Sequence, residues 1–226
     1  LMSGAHKVIV IEADARFLPA LEDIKSVYPD KLEIVQGDAL QISPDSLTAE
    51  PYRIISNLPY NIATPLFTGW LENSWQGGVW SPRFLSMTCM FQKEVAQRIA
   101  AAPGTNNYGR LSVLAGWLTQ ARILFDVDRQ VFVPPPNVTS SIVHVEPRAH
   151  PLARADPQML SQVTAAAFGQ RRKMLRASLK KICRSPSDIL AAADIAETRR
   201  AEQLDIEEFC TLARLIDDQN RQKPAH

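Results

Sequence analysis

The chain has 226 residues, 46% of them hydrophobic and 22% charged, with a formal net charge of +1. That suits one large folded domain, or one domain with a smaller second one. No apolar run approaches the ~20 residues of a bilayer span, and residues 1–7 carry no hydrophobic export signal, so a cytoplasmic protein without a membrane anchor is expected.

Residues 7–12 are β-branched and continuous, as in a strand buried on both faces. Phe17, Leu18, Leu21, Ile24 and Val27 fall at helical spacing and predict a helix over 14–27, ended by Tyr28-Pro29-Asp30. Strands are predicted over 32–36, 52–56 and 84–90, the last running into a helix over 92–102. A helix over 108–119 and strands over 123–127 and 140–145 follow. Strand–helix alternation of this kind predicts an α/β domain with a mainly parallel sheet. Pro147, Pro151 and Pro157 mark a change of regime. Beyond them only helices are predicted, over 158–167, 172–183, 187–193 and 206–217, with Ser187 and Asp205 as N-caps. The domain boundary is placed near residue 150, giving domains 1–150 and 151–226, with a loose polar tail over 220–226.

Charge is unevenly spread. Residues 1–60 carry a balance of −4, residues 148–185 one of +8, and residues 186–218 one of −6. A basic segment between acidic ones suits an anionic partner, although a solvated helix face accounts for the charge equally well. Cys89, Cys183 and Cys210 are odd in number and scattered through apolar or helical stretches. They read as reduced packing residues, not as a disulfide frame or zinc site.

Ser56-Asn57-Leu58-Pro59-Tyr60 follows a predicted strand, where open parallel sheets bind ligands. The Asn57 amide can accept from an exocyclic amine. Pro59 lacks an N–H and leaves neighbouring carbonyls facing outward, and Tyr60 offers a flat surface. The set suits a planar amino-bearing ring such as adenine; a turn with an ordinary Asn cap and a packed Tyr fits the same residues. Glu12, at another strand end, can take two ribose hydroxyls, and Asp38 after Gly37 can accept from an adenine amine, with Gly37 easing the turn. Either carboxylate can instead cap the next helix. Phe132-Val-Pro-Pro-Pro-Asn-Val-Thr-Ser140 is a rigid proline loop in which Phe132 is either a second aromatic wall opposite Tyr60 or a core residue. Arg172, Arg176 and Lys180 recur every four residues, flanked by Arg171, Lys173 and Lys181, with Leu175 and Leu179 turned inward. On a helix these cations form a stripe that can follow a phosphate backbone.

Seven stretches together resemble the small-subunit ribosomal RNA adenine dimethyltransferases of the KsgA/RsmA type. They are Val10-Ile-Glu-Ala-Asp14, Gln36-Gly-Asp-Ala39, Asn57-Leu-Pro-Tyr-Asn-Ile-Ala-Thr-Pro65, Gln92-Lys-Glu-Val95, Tyr108-Gly-Arg-Leu-Ser-Val113, the proline loop above, and Ala167-Phe-Gly-Gln-Arg-Arg-Lys173. The resemblance implies a Rossmann-like class I methyltransferase domain with a small helical C-terminal domain. It implies transfer of methyl groups from S-adenosylmethionine to N6 of two adjacent adenines in a small-subunit rRNA hairpin, two methyls to each.

Carried over by residue, Glu12 holds the cofactor ribose and Asp38 the cofactor adenine. Asn57 lies where cofactor and target amine meet, and the Leu58 carbonyl takes the second amine hydrogen. Tyr60 and Phe132 sandwich the flipped base beside Pro59, and Arg171, Arg172, Lys173, Arg176 and Lys180 bind RNA. The implied partner is an immature 30S-type subunit, met by a monomer.

The resemblance also implies a Glu-x-Gly-x-Gly loop ahead of Glu12 and an upstream Gln-Asn-Phe-Leu segment. Neither occurs in the 226 residues, and residues 1–7 resemble the end of the helix that follows that loop. The chain is therefore expected to be part of a longer protein and to bind S-adenosylmethionine weakly or not at all. Three other readings remain at this point. One is a macrolide-resistance methyltransferase acting on large-subunit rRNA, and another a non-catalytic RNA-binding or assembly factor, including a mitochondrial transcription-factor relative. The third, a small-molecule methyltransferase, leaves the +8 segment without a role.

Overall fold

The computed structural model describes Leu1 and residues 4–221. A 3-10 turn (Ala15–Phe17) separates β1 (Val8–Glu12) from α1 (Leu18–Val27), and β2 (Leu32–Gln36) follows. Next come β3 (Tyr52–Asn57), α2 (Tyr60–Glu72), a short hairpin of β4 (Trp75–Gln76) and β5 (Val79–Trp80), and β6 (Phe84–Gln92). After α3 (Lys93–Ile99) and α4 (Arg110–Leu118), β7 (Thr119–Val127) and β8 (Ser140–Pro147) complete the α/β part. Beyond Pro147 the regular elements are helical: α5 (Pro157–Phe168), α6 (Leu175–Ser178), α7 (Pro186–Ala192) and α8 (Ile206–Arg221).

The strands form a four-stranded sheet in the order β3-β6-β8-β7, a separate parallel pair β1–β2, and the small hairpin. β3 runs parallel to β6, while β8 runs antiparallel to both β6 and β7. The C-terminal ends of β3, β6 and β7 therefore share one end of the sheet with the start of β8. Asn57 pairs with Met90 there, and Ser140 faces both Gln92 and Val127.

One face of this sheet makes the core. Ile54 packs against a cluster that includes buried Met87, Cys89, Phe91, Val143 and Val145. α2 lays Ala63, Leu66, Phe67 and Leu71 on it, with Phe67 edge-on to Phe91 at 5.9 Å. The core continues without a break past residue 150 as far as Ile216. Trp80 and Trp117 donate their indole N–H groups to the carbonyls of Arg148 and Ala153, at 2.9 and 2.7 Å. Phe168 links Tyr108 and Phe209, with ring centroids 5.8 and 5.5 Å apart. The three cysteines are free and buried within this packing, and burial pushes the thiols of Cys89 and Cys210 up to about 12, so neither is a thiolate at neutral pH.

Several expectations change. β1 is only half-buried, not covered on both faces, because among the described residues it pairs with β2 alone. Strand pairing holds Gln92 in β6 and extends β7 back to Thr119. The segment over 14–27 opens with a 3-10 turn, and α4 starts at Arg110 after an extended Gly109. Asp205 does cap α8: its carboxylate accepts from the Glu208 N–H and its own N–H donates to Glu208, both at 2.8 Å. Ser187 does not cap α7, because Pro186 already occupies the first turn and Ser185 stands at the N-cap place. Asn220 and Arg221 belong to α8, and the rest of the expected loose tail lies outside the described residues. Residues 4–7 are not helical, while residues 2 and 3 of the expected helix end are also outside them.

The largest change concerns the basic stripe. α5 ends at Phe168 with Gly169 as its C-cap, and residues 170–173 form a turn instead of a helix. The Lys173 N–H donates to the Gln170 carbonyl, and the Leu175 N–H to the Arg199 carbonyl, both at 2.8 Å. Met174 is extended, so α6 begins afresh at Leu175, lasts four residues and passes into a 3-10 turn, Leu179–Lys181. Helix propensity favoured continuity, but burial of Leu175 and Leu179 and the bond to Arg199 override it. Arg172, Arg176 and Lys180 therefore do not share one helix.

Candidate active site

β3 ends at Asn57, whose side chain is exposed by strand alternation with Arg53 and Ile55. Leu58 turns inward and is buried, which fixes the bend. Pro59 then opens α2, its carbonyl accepting from the N–H groups of Ile62 and Ala63 at 3.1 Å each. None of the described turn and loop bonds uses the Leu58 carbonyl.

Tyr60 is half-buried as the first residue of α2. Its hydroxyl lies 2.7 Å from the Ser140 hydroxyl, which is buried at the start of β8. That bond fixes the phenol edge to the end of the sheet. The partners are 80 residues apart, so nothing local in the sequence marks Ser140 as a partner for Tyr60. A second brace sits at the same end. Asp126 of β7 accepts from Lys93 Nζ and from the Ser141 hydroxyl, both at 2.6 Å. The Lys93 bond, then the Ser141 bond, hold its carboxyl below the usual carboxylate range.

Phe132 follows a 3-10 turn (Arg129–Val131) capped by Asp128 and is half-buried. Its loop joins the ends of β7 and β8, so the chain path brings Asn57, Tyr60 and Phe132 to one end of the sheet.

Glu12 and Asp38 form a second group. The Gly37 N–H donates to the Glu12 carbonyl at 2.9 Å and ties the two strand ends together. Glu12 Oε1 accepts from the Asp14 N–H at 2.8 Å, and Asp38 Oδ1 from the Leu40 N–H at 2.9 Å. Each carboxylate thus makes the expected local turn bond with one oxygen. Among the described residues the other oxygen of each is unbonded and can accept from a hydroxyl or amine. Gly37 does not supply a left-handed turn; it makes room, since a Cβ there would meet Ile42 Cδ1 at 2.5 Å. Ala39, Leu40 and Ile42 in the loop leaving β2 line a small cavity with Pro65, Leu66 and Trp70 of α2. The strand end bearing Asp38 therefore leads to the helix that begins at Tyr60.

The basic residues sit apart from both groups in sequence. Arg171, Arg172, Lys173, Arg176 and Lys180 are all exposed. Arg171 donates to the Asn106 carbonyl at 2.8 Å, and Arg176 pairs with Glu197 at 3.1 Å. Arg172, Lys173 and Lys180 have no side-chain ion pair among the described residues. A broad open cleft of about 1010 Å³, lined by Thr64, Glu72, Arg110, Trp117 and Gln158 among others, went unforeseen; none of the predicted site residues lines it. Among the described residues there is no cluster of metal ligands, and no helix is long and apolar enough to cross a membrane.

The α/β sheet followed by a helical C-terminal part is a fold shared with solved structures. A dimethyladenosine transferase from Plasmodium falciparum has this fold with a TM-score of 0.78 at 24% identity, over 95% of this chain and 83% of that one. The 23S rRNA methyltransferase ErmE has it with a TM-score of 0.65 at 24% identity, over 95% of this chain and 84% of that one. The chain belongs to the ribosomal RNA adenine dimethylase family, whose model matches residues 1–218. It is 52% identical over 214 residues to a ribosomal RNA small subunit methyltransferase A from Xanthobacter autotrophicus, covering 94% of this chain and 73% of that protein.

Proposed function

We propose that this protein dimethylates N6 of two adjacent adenines in a small-subunit rRNA hairpin, using S-adenosylmethionine. The observation that carries the reading is the Tyr60–Ser140 bond, which holds an aromatic face beside exposed Asn57 at the sheet end. The small subunit is favoured over the large one by similarity: about half of the residues match a small-subunit enzyme.

The adenine amine lone pair is delocalised into its ring. Hydrogen bonds from N6 to the Asn57 side chain and the Leu58 carbonyl favour a more tetrahedral nitrogen. Tyr60 and Phe132 hold the ring between them, with Pro59 keeping the turn rigid. Orientation and preset dipoles do most of the work, and no strong base is needed, because the proton leaves after the new bond has formed. For the second transfer, one of the two contacts to N6 must be released.

Glu12 and Asp38 fit the adenosine part of the cofactor, each offering an unbonded oxygen at a strand end. When bound, S-adenosylmethionine supplies an electrophilic methyl group on a sulfonium. The nine glycines of the chain include no Glu-x-Gly-x-Gly loop to cradle it. In addition, β1 and β3 lie in separate sheets, and Ile55 of β3 is 84% exposed. The 226 residues alone therefore bind the cofactor weakly. With labelled cofactor and isolated subunits, label enters N6 of small-subunit rRNA only at cofactor concentrations well above micromolar. Label in large-subunit rRNA overturns the substrate, and saturation at micromolar cofactor overturns the weak binding.

We also assign residues 1–150 to methyl transfer and residues 151–226 to RNA binding, in a cytoplasmic monomer acting on an immature 30S-type subunit. The exposed cations Arg171, Arg172, Lys173, Arg176 and Lys180 lie along a turn, the short helix α6 and the 3-10 turn after it, and suit a phosphate backbone read by shape. Replacing Arg172, Lys173 and Lys180 with glutamine lowers the slope of log affinity against log salt by about 2–3. An unchanged slope moves the RNA face elsewhere.

A further inference from the structure

The loop between β7 and β8 has a feature that the aromatic sandwich does not use. Residues 131–139 carry no charge, in a chain that is 22% charged. Phe132 is half-buried, but the residues beside it point out: Val131 is 66% exposed and Val133 is 97% exposed. Pro134 and Pro135 are exposed too. An isolated exposed valine needs no explanation. Here a run of apolar side chains projects from a loop stiffened by three consecutive prolines, at the sheet end that carries Asn57 and Tyr60.

An adenine stacked in a hairpin reaches such a site only by leaving its stack, which costs a few kcal/mol. The vacancy left behind exposes the faces of the neighbouring bases. Proteins that hold bases apart insert apolar side chains, proline among them, between the steps. We propose that Val133 and Pro134 are a wedge that enters the gap left by the extruded adenine and stacks on its former neighbour. The wedge deepens the methyltransferase reading and rests on it: Phe132 holds the flipped base, and the next two residues hold the stack open.

The proposal separates two RNAs. A wedge helps only where a stack must be opened. Fluorescein-labelled RNA hairpin with the two adjacent adenines, and an unfolded single strand with the same adenines, are titrated with the 226-residue protein by anisotropy. Val133→Ser weakens hairpin binding by about tenfold and leaves single-strand binding unchanged, whereas Val133→Leu retains both. The position is exposed, and an unchanged thermal midpoint checks that the fold is intact. Equal weakening on both RNAs, or on neither, overturns the wedge. Tyr60→Ala is the control for the underlying reading: it weakens both RNAs. If Tyr60→Ala behaves so and Val133→Ser has no selective effect, the wedge falls and the base pocket stands. If Tyr60→Ala changes neither, both fall.

Discussion

Asn57→Ala lowers the rate of methyl transfer to small-subunit rRNA by about 10²–10³-fold, the cost of removing one preorganised hydrogen-bonding group from a reacting centre. The measurement is label transfer at excess cofactor, with RNA affinity followed in parallel. Affinity stays near the wild-type value, because the amide contributes mainly where charge and geometry change at N6. Folding is unaffected as well: Asn57 is exposed at the end of β3, and among the described residues no hydrogen bond to its side chain is present. A rate within tenfold of wild type would remove Asn57 from the chemistry and leave the contact to N6 to other groups of the turn. Asn57→Asp separates roles further. It keeps an acceptor but adds charge and removes the amide N–H groups, so partial activity there points to acceptance from N6 as the essential contact.

The α/β part was legible in the sequence because its strands are β-branched runs punctuated by turns, as at residues 32–36 and 52–57. The end of the sheet was legible for the same reason: Asn-Leu-Pro-Tyr follows a strand, and proline fixes the exit. What was hidden is long-range. The Tyr60–Ser140 bond and the Asp126 brace join residues far apart in sequence, and nothing local announces either. The Trp75–Trp80 hairpin hid in four residues of strand around Gly77-Gly78, too short for a period to show. The basic stripe misled for the opposite reason. Gln-Arg-Arg-Lys-Met has good helical propensity and ideal spacing, yet the captured backbone N–H groups of Lys173 and Leu175 break it. The difference bears on the proposed RNA face: a straight stripe would track one strand of phosphates, while cations on successive turns would face a folded RNA in several directions.

Phe209→Ala destabilises the protein by about 3–5 kcal/mol, the usual cost of emptying a fully buried aromatic site. For a chain of this length that is a fall in thermal midpoint of roughly 6–20 °C. Phe209 lies on α8 in the C-terminal region, against Phe168 of α5, which in turn meets Tyr108 of the α/β part. The four tryptophans, Trp70, Trp75, Trp80 and Trp117, all precede residue 150. Tryptophan fluorescence therefore reports on the α/β part, while the substitution is made in the helical part. A core continuous across residue 150 couples the two, so fluorescence and far-ultraviolet circular dichroism fall together to one lowered midpoint. Were the fluorescence midpoint to stay in place while part of the helical signal melted early, the two regions would fold independently. RNA binding would then be separable from the methyl-transfer region by simple truncation. A shared midpoint means the reverse: the segment bearing Arg172 and Lys173 is held by the same core that seats α2, and with it Tyr60.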